Sequence, residues 1–231
     1  MTTTLITGAN KGLGFETARR LVEVGHTVYV GARDARRGRA AAAELGARFV
    51  QIDVTDEDSV TAAADFVRED AGRLDVLVNN AGISGAGKPV GEVTGADMRT
   101  TYDTNVFGVV RVTHAFLPLL SAGDAAVVVN VSSGLGSLAA TADPGRVEFH
   151  VALLDYNSSK TALVMVTSQY AKAYPAIRFN AVDPGYTATD LNGHRGTSSV
   201  EEGAEIIVRM AVIGSGGPSG GFFDKAGPVV W

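Results

Sequence analysis

A tyrosine and a lysine stand four residues apart in Asp155-Tyr156-Asn157-Ser158-Ser159-Lys160, at the head of a long helical pattern. Residues i and i+4 share a helix face, so a phenol and an ammonium lie one turn apart. A free phenol, with a pKa near ~10, is a poor proton donor at neutral pH. A fixed ammonium beside it favours the phenolate and lowers that value. A phenol so tuned can protonate a developing alkoxide, or take the proton back from an alcohol. A second patch of chemistry opens the chain. Thr7-Gly8-Ala9-Asn10-Lys11-Gly12-Leu13-Gly14 follows a β-branched run and precedes a helical one. Gly8 permits a tight turn, Gly12 lets a pyrophosphate approach the backbone, and Gly14 lets helix and strand pack closely. The helix N-terminus then offers N–H groups and partial positive charge to the phosphates. Taken singly, the glycines fit a plain strand–helix turn and the Tyr–Lys pair a surface contact. Together they point to a dinucleotide and a proton donor.

The second β-branched run separates two dinucleotides. A free ribose 2′-hydroxyl calls for an acid at its end. Here the run Thr27–Gly31 leads into Ala32-Arg33-Asp34. The strand-end position is Ala32, and the Arg33 guanidinium next to it suits a 2′-phosphate, with charge-assisted bonds worth ~1.5–3 kcal/mol. Lys11 adds a cation nearby. The expectation is NADP(H) over NAD(H), with Asp34 as a ribose ligand if the strand ends later. Arg36, Arg37 and Arg39 are expected on a solvated helix face.

The elements that position these groups follow from periodicity. Strands are expected at Thr3–Thr7, Thr27–Gly31, Arg48–Ile52, Asp75–Asn79, Ala126–Val131, Ile177–Val182 and Gly221–Phe223. Near-continuous apolar runs such as Val127-Val128-Val129 suit strands buried on both faces of a parallel sheet. Helices are expected at Leu13–Val24, Arg36–Leu45, Asp56–Asp70 with Thr55 as N-cap, Asn105–Leu120, Tyr156–Tyr174 and Val200–Val212. This alternation implies a doubly wound α/β fold, one parallel seven-stranded sheet with helices on both faces. No linker or charge block divides it, so residues 1–231 are expected to form a single domain.

Composition excludes other classes. With 20 basic against 25 acidic residues the net charge is −5, which gives no basic field for nucleic acid. Cysteine is absent, so there are no disulfides, thiolate metal sites or thiol nucleophiles. The four histidines, His26, His114, His150 and His194, lack metal-ligand spacing. No apolar run reaches the ~18–20 residues that cross a bilayer. A cytoplasmic protein with a small-molecule partner, no membrane and no metal is expected.

The ordered set of motifs resembles the short-chain dehydrogenase/reductase family over essentially the whole chain. Thr7–Gly14 matches its TGxxxGxG turn, Asn79-Asn80-Ala81-Gly82 its NNAG motif, and Asn130-Val131-Ser132-Ser133 with Gly136 its NVSSxxG motif. Tyr156 and Lys160 match YxxxK, and Asp183-Pro184-Gly185-Tyr186-Thr187 its PG motif. Asn10-Lys11-Gly12 and Ala32-Arg33-Asp34 are most similar to the NADP-dependent carbonyl reductases. The resemblance implies a Rossmann fold and a reductase converting a ketone or aldehyde to an alcohol by hydride transfer. Ser133, or Ser132 as runner-up, would hold the carbonyl. Tyr156 would deliver the proton, and Lys160 would tune it and bind the nicotinamide ribose. Asn105 would anchor a water relaying protons from Lys160. Asp53 and Val54 would hold the adenine, and Asn80, Ala81, Gly82, Pro184, Gly185 and Thr187 would line the cofactor with Gly8, Asn10, Lys11, Gly12, Leu13, Gly14 and Arg33. Asn79, Asn80 and Gly82 would also tie strands together. A non-catalytic dinucleotide sensor on the same fold is the alternative; the intact Ser133, Tyr156, Lys160 set argues against it.

Two departures matter. Ser133 and Tyr156 are 23 residues apart, farther than in many members. The added segment, with Glu148, Phe149 and His150, is expected over the pocket mouth. It leaves a homodimer or tetramer open beside a monomer. Thr187–Ser199 is expected to be a short mobile lid with His194 facing solvent, and the tail with Pro228 and Trp231 to lie near the pocket or a partner subunit.

Overall fold

The computed structural model describes residues 1–231. Seven parallel strands form one sheet in the order β3-β2-β1-β4-β5-β6-β7. They are β1 (Thr3–Thr7), β2 (Thr27–Ala32), β3 (Arg48–Gln51), β4 (Val76–Asn79), β5 (Val127–Val131), β6 (Arg178–Val182) and β7 (Phe222–Phe223). Strand side chains alternate between faces. Leu5, Leu77, Val128 and Phe179 enter one core layer, and Ile6, Val78, Val129 and Val182 the other. Helices α1 (Gly12–Glu23), α2 (Ala35–Leu45) and α8 (Val200–Ala211) cover the second face. Helices α3 (Glu57–Ala71), α5 (Gly108–Ser121) and α7 (Leu154–Ala173) cover the first. Chain order reverses between β1 and β4, which opens the crevice where doubly wound sheets hold their ligands. No helix is long and apolar enough to cross a membrane.

One local expectation is corrected and two segments gain detail. Thr55 does not cap α3: its hydroxyl turns back to Asp53, and Asp56 accepts the Ser59 amide at 2.8 Å instead. The helix expected over Asn105–Leu120 is present but begins earlier, in a π-turn that runs into α5 (Gly108–Ser121). A separate helix α4 (Gly95–Tyr102) starts at a capping box between Thr94 and Asp97, and a π-turn at Asp103–Phe107 joins it to α5. The extra segment before Tyr156 folds as a short helix, α6 (Leu138–Ala142), and a 3-10 turn at Val147–His150.

Helix α8 packs closely on Thr187, where the expected lid begins, and on Leu13 of α1. A Cβ on Gly203 would collide with Thr187 Oγ1 and lie 2.9 Å from Leu13 Cδ2. Gly203→Ala should therefore cost about 1–3 kcal/mol, read as a lower urea midpoint with an unchanged slope.

Candidate active site

The glycine turn is built from both sides. Gly8 and Gly12 take φ values of +66° and +55°, which a side chain rarely adopts. The Thr7 hydroxyl accepts the amides of Asn80 and Ala81 at 3.1 Å each. In return, Asn80 Nδ2 donates to the Thr7 carbonyl at 2.9 Å. A Cβ on Gly14 would lie 2.8 Å from the Gly8 carbonyl, so only glycine lets α1 close on the turn. No side chain caps the start of α1, whose first N–H groups stay available. This cradle of bare backbone at an uncapped helix end fits the pyrophosphate of a dinucleotide. A cleft beside it is lined by Asn10, Lys11 and Arg37. Leu13 packs into the core layer below.

The end of β2 settles the position left open by the sequence. The strand stops at Ala32, and Asp34 is the N-cap of α2, accepting the Arg37 amide at 3.0 Å. That bond holds its carboxyl below the usual range. Asp34 is therefore committed to the helix. Arg33 is exposed, its Nε 3.8 Å from Asp53 Oδ2. Arg37 is exposed, as expected for a solvated face, and it also lines the cleft with Lys11. Asp53 also accepts the Thr55 amide at 3.0 Å, and Val54 is buried beneath α5.

Ser133, Tyr156 and Lys160 meet at the carboxyl end of β5. Lys160 is buried, and its Nζ donates to the Val131 carbonyl at 2.8 Å. The ammonium lies 5.6 Å from the Tyr156 ring centre. Ser132 is excluded as the outward hydroxyl, because it donates to the Lys160 carbonyl at 3.1 Å. Ser133 caps the turn Gly134–Gly136 and faces the phenol, pulling its pKa down. The pKa argument from the sequence needs correcting. Burial dominates both groups: it pushes Tyr156 up to about 12 and Lys160 down to about 8. Desolvation of each charged form outweighs the help from its neighbour.

Asn105 is held from both sides of its amide. It sits in the π-turn, and its buried amide is occupied by Ile83: Oδ1 accepts the Ile83 amide and Nδ2 donates to the Ile83 carbonyl, both at 2.9 Å. Nδ2 also reaches Ser159 Oγ at 3.1 Å. The side chain fixes the loop after β4 to α7, with both Nδ2 protons used and one Oδ1 lone pair left open. Gly82 belongs to this end of the site, since a Cβ there would lie 3.3 Å from Asn105 Oδ1 and 3.7 Å from Lys160 Nζ.

The lid folds over the glycine turn. Thr187 is buried, its hydroxyl donating to the Pro184 carbonyl at 3.1 Å, and Gly185 takes φ +75°. The lid tip is latched: Lys11 Nζ meets Asp190 Oδ2 at 2.7 Å, and exposed His194 meets Asp190 Oδ1 at 2.8 Å. The cation expected near the phosphates is therefore shared with the lid.

Sequence reasoning missed Asp155. It is buried next to Tyr156 and accepts three donors: Ala86 N–H at 2.7 Å, Thr101 Oγ1 at 2.8 Å and the Tyr156 amide at 3.0 Å. A carboxylate at the start of a helix was a visible signal. Glu148, from the added segment, approaches the Ser133 turn: a Cβ on Gly134 would lie 2.9 Å from its Oε1. The tail also reaches this end, since Ser137 donates to the Val230 carbonyl.

Fold and site define a nicotinamide-dinucleotide oxidoreductase. Residues 2–199 match the family model described as short chain dehydrogenase, and the chain belongs to that family. It is 34% identical to (-)-isopiperitenone reductase of Mentha piperita, with 96% of each chain covered. That alignment runs over 303 positions, more than this chain has, so the mint enzyme carries segments absent here. Salutaridine reductase of Papaver somniferum is 31% identical over 95% of this chain and 93% of its own. The structure of NADPH-bound carbonyl reductase from chicken fatty liver superposes with a TM-score of 0.88 at 27% identity, covering 100% of this chain and 99% of that one. The chain is thus an oxidoreductase of carbonyl and alcohol groups.

The buried Lys160 has a signature in stability. Its folded pKa of about 8 lies below the unfolded value of 10.5, so the unfolded chain holds the extra proton between them. The cost is present in full below about 8 and is relieved as pH rises toward 10.5. Between pH 7 and 10, unfolding free energies of the wild type should therefore rise against Lys160→Met by ~2–3 kcal/mol. A constant difference between the two would contradict the burial of a charged Lys160.

Proposed function

We propose that residues 1–231 act as one NAD(P)(H)-binding unit that reversibly reduces a ketone or aldehyde to an alcohol, with NADP(H) preferred. The observation that carries this reading is the meeting of Ser133, Tyr156 and Lys160 at the end of β5, beside the glycine cradle. The bound dinucleotide supplies the hydride. Ser133 donates a hydrogen bond to the carbonyl oxygen and fixes the substrate. Tyr156 gives its proton to the oxygen as negative charge develops. A phenol held at about 12 is still a much stronger acid than an alcohol, so burial does not disable it. It keeps the proton in place across the neutral range, which suits reduction. Lys160 stays charged below about 8 and stabilises the phenolate left after transfer.

Gly8, Gly12 and Gly14 carry the pyrophosphate. Val54, Asp53 and the backbone of Asn80 to Gly82 frame the adenosine and ribose side, and Pro184, Gly185 and Thr187 frame the nicotinamide side. The preference for NADP(H) is supported by Asp34 being spent as a cap while Arg33, Arg37 and Lys11 surround the 2′ position. The NADPH-bound carbonyl reductase from chicken fatty liver, similar over the whole chain, supports the same choice. Asn105 acts as a brace for the loop beside Lys160.

Two variants test the proposal. Tyr156→Phe should leave the NADPH dissociation constant within about two-fold while turnover on a carbonyl panel falls ~10²–10⁴-fold; retained turnover would remove the proton donor from the scheme. Arg33→Ala should weaken NADPH by ~1.5–3 kcal/mol and leave NADH nearly unchanged, measured by titration calorimetry with both nucleotides. Equal losses would take Arg33 away from the 2′-phosphate.

A further inference from the structure

Asp183 is a carboxylate that the scheme above does not use. It follows β6, and β6 pairs with β5 so that Val182 lies beside Val131. That register puts Asp183 level with the serines that follow β5, and the Ser132 amide donates to the Val182 carbonyl at 2.7 Å. One carboxylate oxygen, Oδ1, accepts the Gly185 amide at 2.9 Å and shapes the Pro184–Gly185 turn. The other, Oδ2, faces the turn that Ser133 caps: a Cβ on Gly134 would lie 2.8 Å from it. No lysine or arginine pairs with this carboxylate. Its two oxygens therefore bridge the turn that presents Ser133 and the turn that leads into the lid.

We propose that Asp183 is a positioning residue for the reaction: its carboxylate holds the Ser133 and Pro184–Gly185 turns together and supplies the negative charge that keeps Lys160 an ammonium. This rests on the reductase reading of the same site. The charged neighbours can be named from every side. Lys160 Nζ is anchored on the Val131 carbonyl, and Val131 lies beside Val182, the residue before Asp183, so the ammonium and the carboxylate stand at the ends of adjacent strands. Tyr156 on α7, Glu148 in the Val147–His150 turn and Asp224 after β7 add their charges, and the Gly134 and Gly185 amides complete the surroundings. Arg146 binds Glu148 at 3.1 Å and offsets that charge. Burial drags Lys160 down to about 8, and the Asp183 charge opposes that fall. The margin is small. A further drop would leave much of Lys160 neutral near pH 7, with no cation beside the phenolate. The same negative charge raises Tyr156, so Asp183 trades some phenol acidity for a charged lysine. Asp183 is itself raised by burial and by Asp224 and Glu148, so acid gradually removes the support.

The test is the pH profile of carbonyl-dependent NADPH oxidation. A wild type without that activity on a carbonyl panel would fail the reductase reading before any variant is made. Given activity, Asp183→Asn should move the basic limb of kcat to lower pH by about half to one unit, the scale of one nearby charge in a partly screened site. Asp183→Glu, which keeps the charge, should leave the limb near the wild-type position even where its rate is lower. A uniform loss at every pH with the limb unmoved would overturn the electrostatic role. Where Asp183→Asn does not fold, the coupling is read in reverse by carboxyl ¹³C NMR. Lys160→Met should then shift the Asp183 titration upward, and an unmoved Asp183 would overturn the proposal.

Discussion

An ammonium buried at the end of a parallel strand is costly, and this site is arranged around meeting that cost. Lys160 Nζ has one carbonyl partner, Val131, at 2.8 Å. An isolated buried charge would neutralise itself; burial lowers Lys160 to about 8, and the Asp183 charge opposes that fall. Space around the lysine is equally constrained. A Cβ on Gly136 would lie 2.8 Å from the Lys160 carbonyl carbon. Gly136 is thus a steric condition for seating α7 against β5.

Beneath the reacting groups runs a neutral polar layer that fixes the strands without adding charge. Asn79 Nδ2 donates to Asn130 Oδ1 at 2.9 Å and reaches Thr113 Oγ1 at 3.2 Å, and Asn130 Nδ2 donates to Thr167 Oγ1 at 2.8 Å. These bonds join β4 and β5 to α5 and α7. Bonds of this kind add little net stability, but a broken partner buried here leaves a group that water cannot reach. The layer therefore specifies register more than it contributes energy. Register matters because a slip of one residue would turn Ser133 and Asp183 to the opposite face.

The strands were legible because buried parallel strands are written as unbroken β-branched runs, and each expected strand falls within two residues of the observed one at either end. The glycine turn and the Tyr156–Lys160 spacing were legible because their chemistry demands particular residues at particular distances. What stayed hidden depends on contacts between distant segments. Nothing local marks Asp155 as the acceptor for Ala86 and Thr101, or brings Arg37 rather than Arg36 into the cleft. The π-turn at Asp103–Phe107 was hidden for the same reason: Asn105 turns inward to Ile83, 22 residues away. The direction of the tyrosine shift was misjudged because spacing shows the neighbouring charge but not the desolvation.

The lid latch illustrates how magnitudes settle a conflict between two uses of one side chain. Lys11 holds Asp190, yet on the proposed reading it also serves the 2′-phosphate. The ion pair is more than half exposed at both partners. Such pairs contribute ~0–1 kcal/mol. Charge-assisted bonds to a phosphate contribute ~1.5–3 kcal/mol, and that phosphate carries more charge than Asp190. The pair is thus strong enough to bias the lid toward the turn and too weak to keep a phosphate out. Asp190 keeps a second partner in His194 at 2.8 Å, so the lid tip retains its shape when Lys11 turns away. A short lid held by a contact that the ligand itself can replace needs no separate opening device.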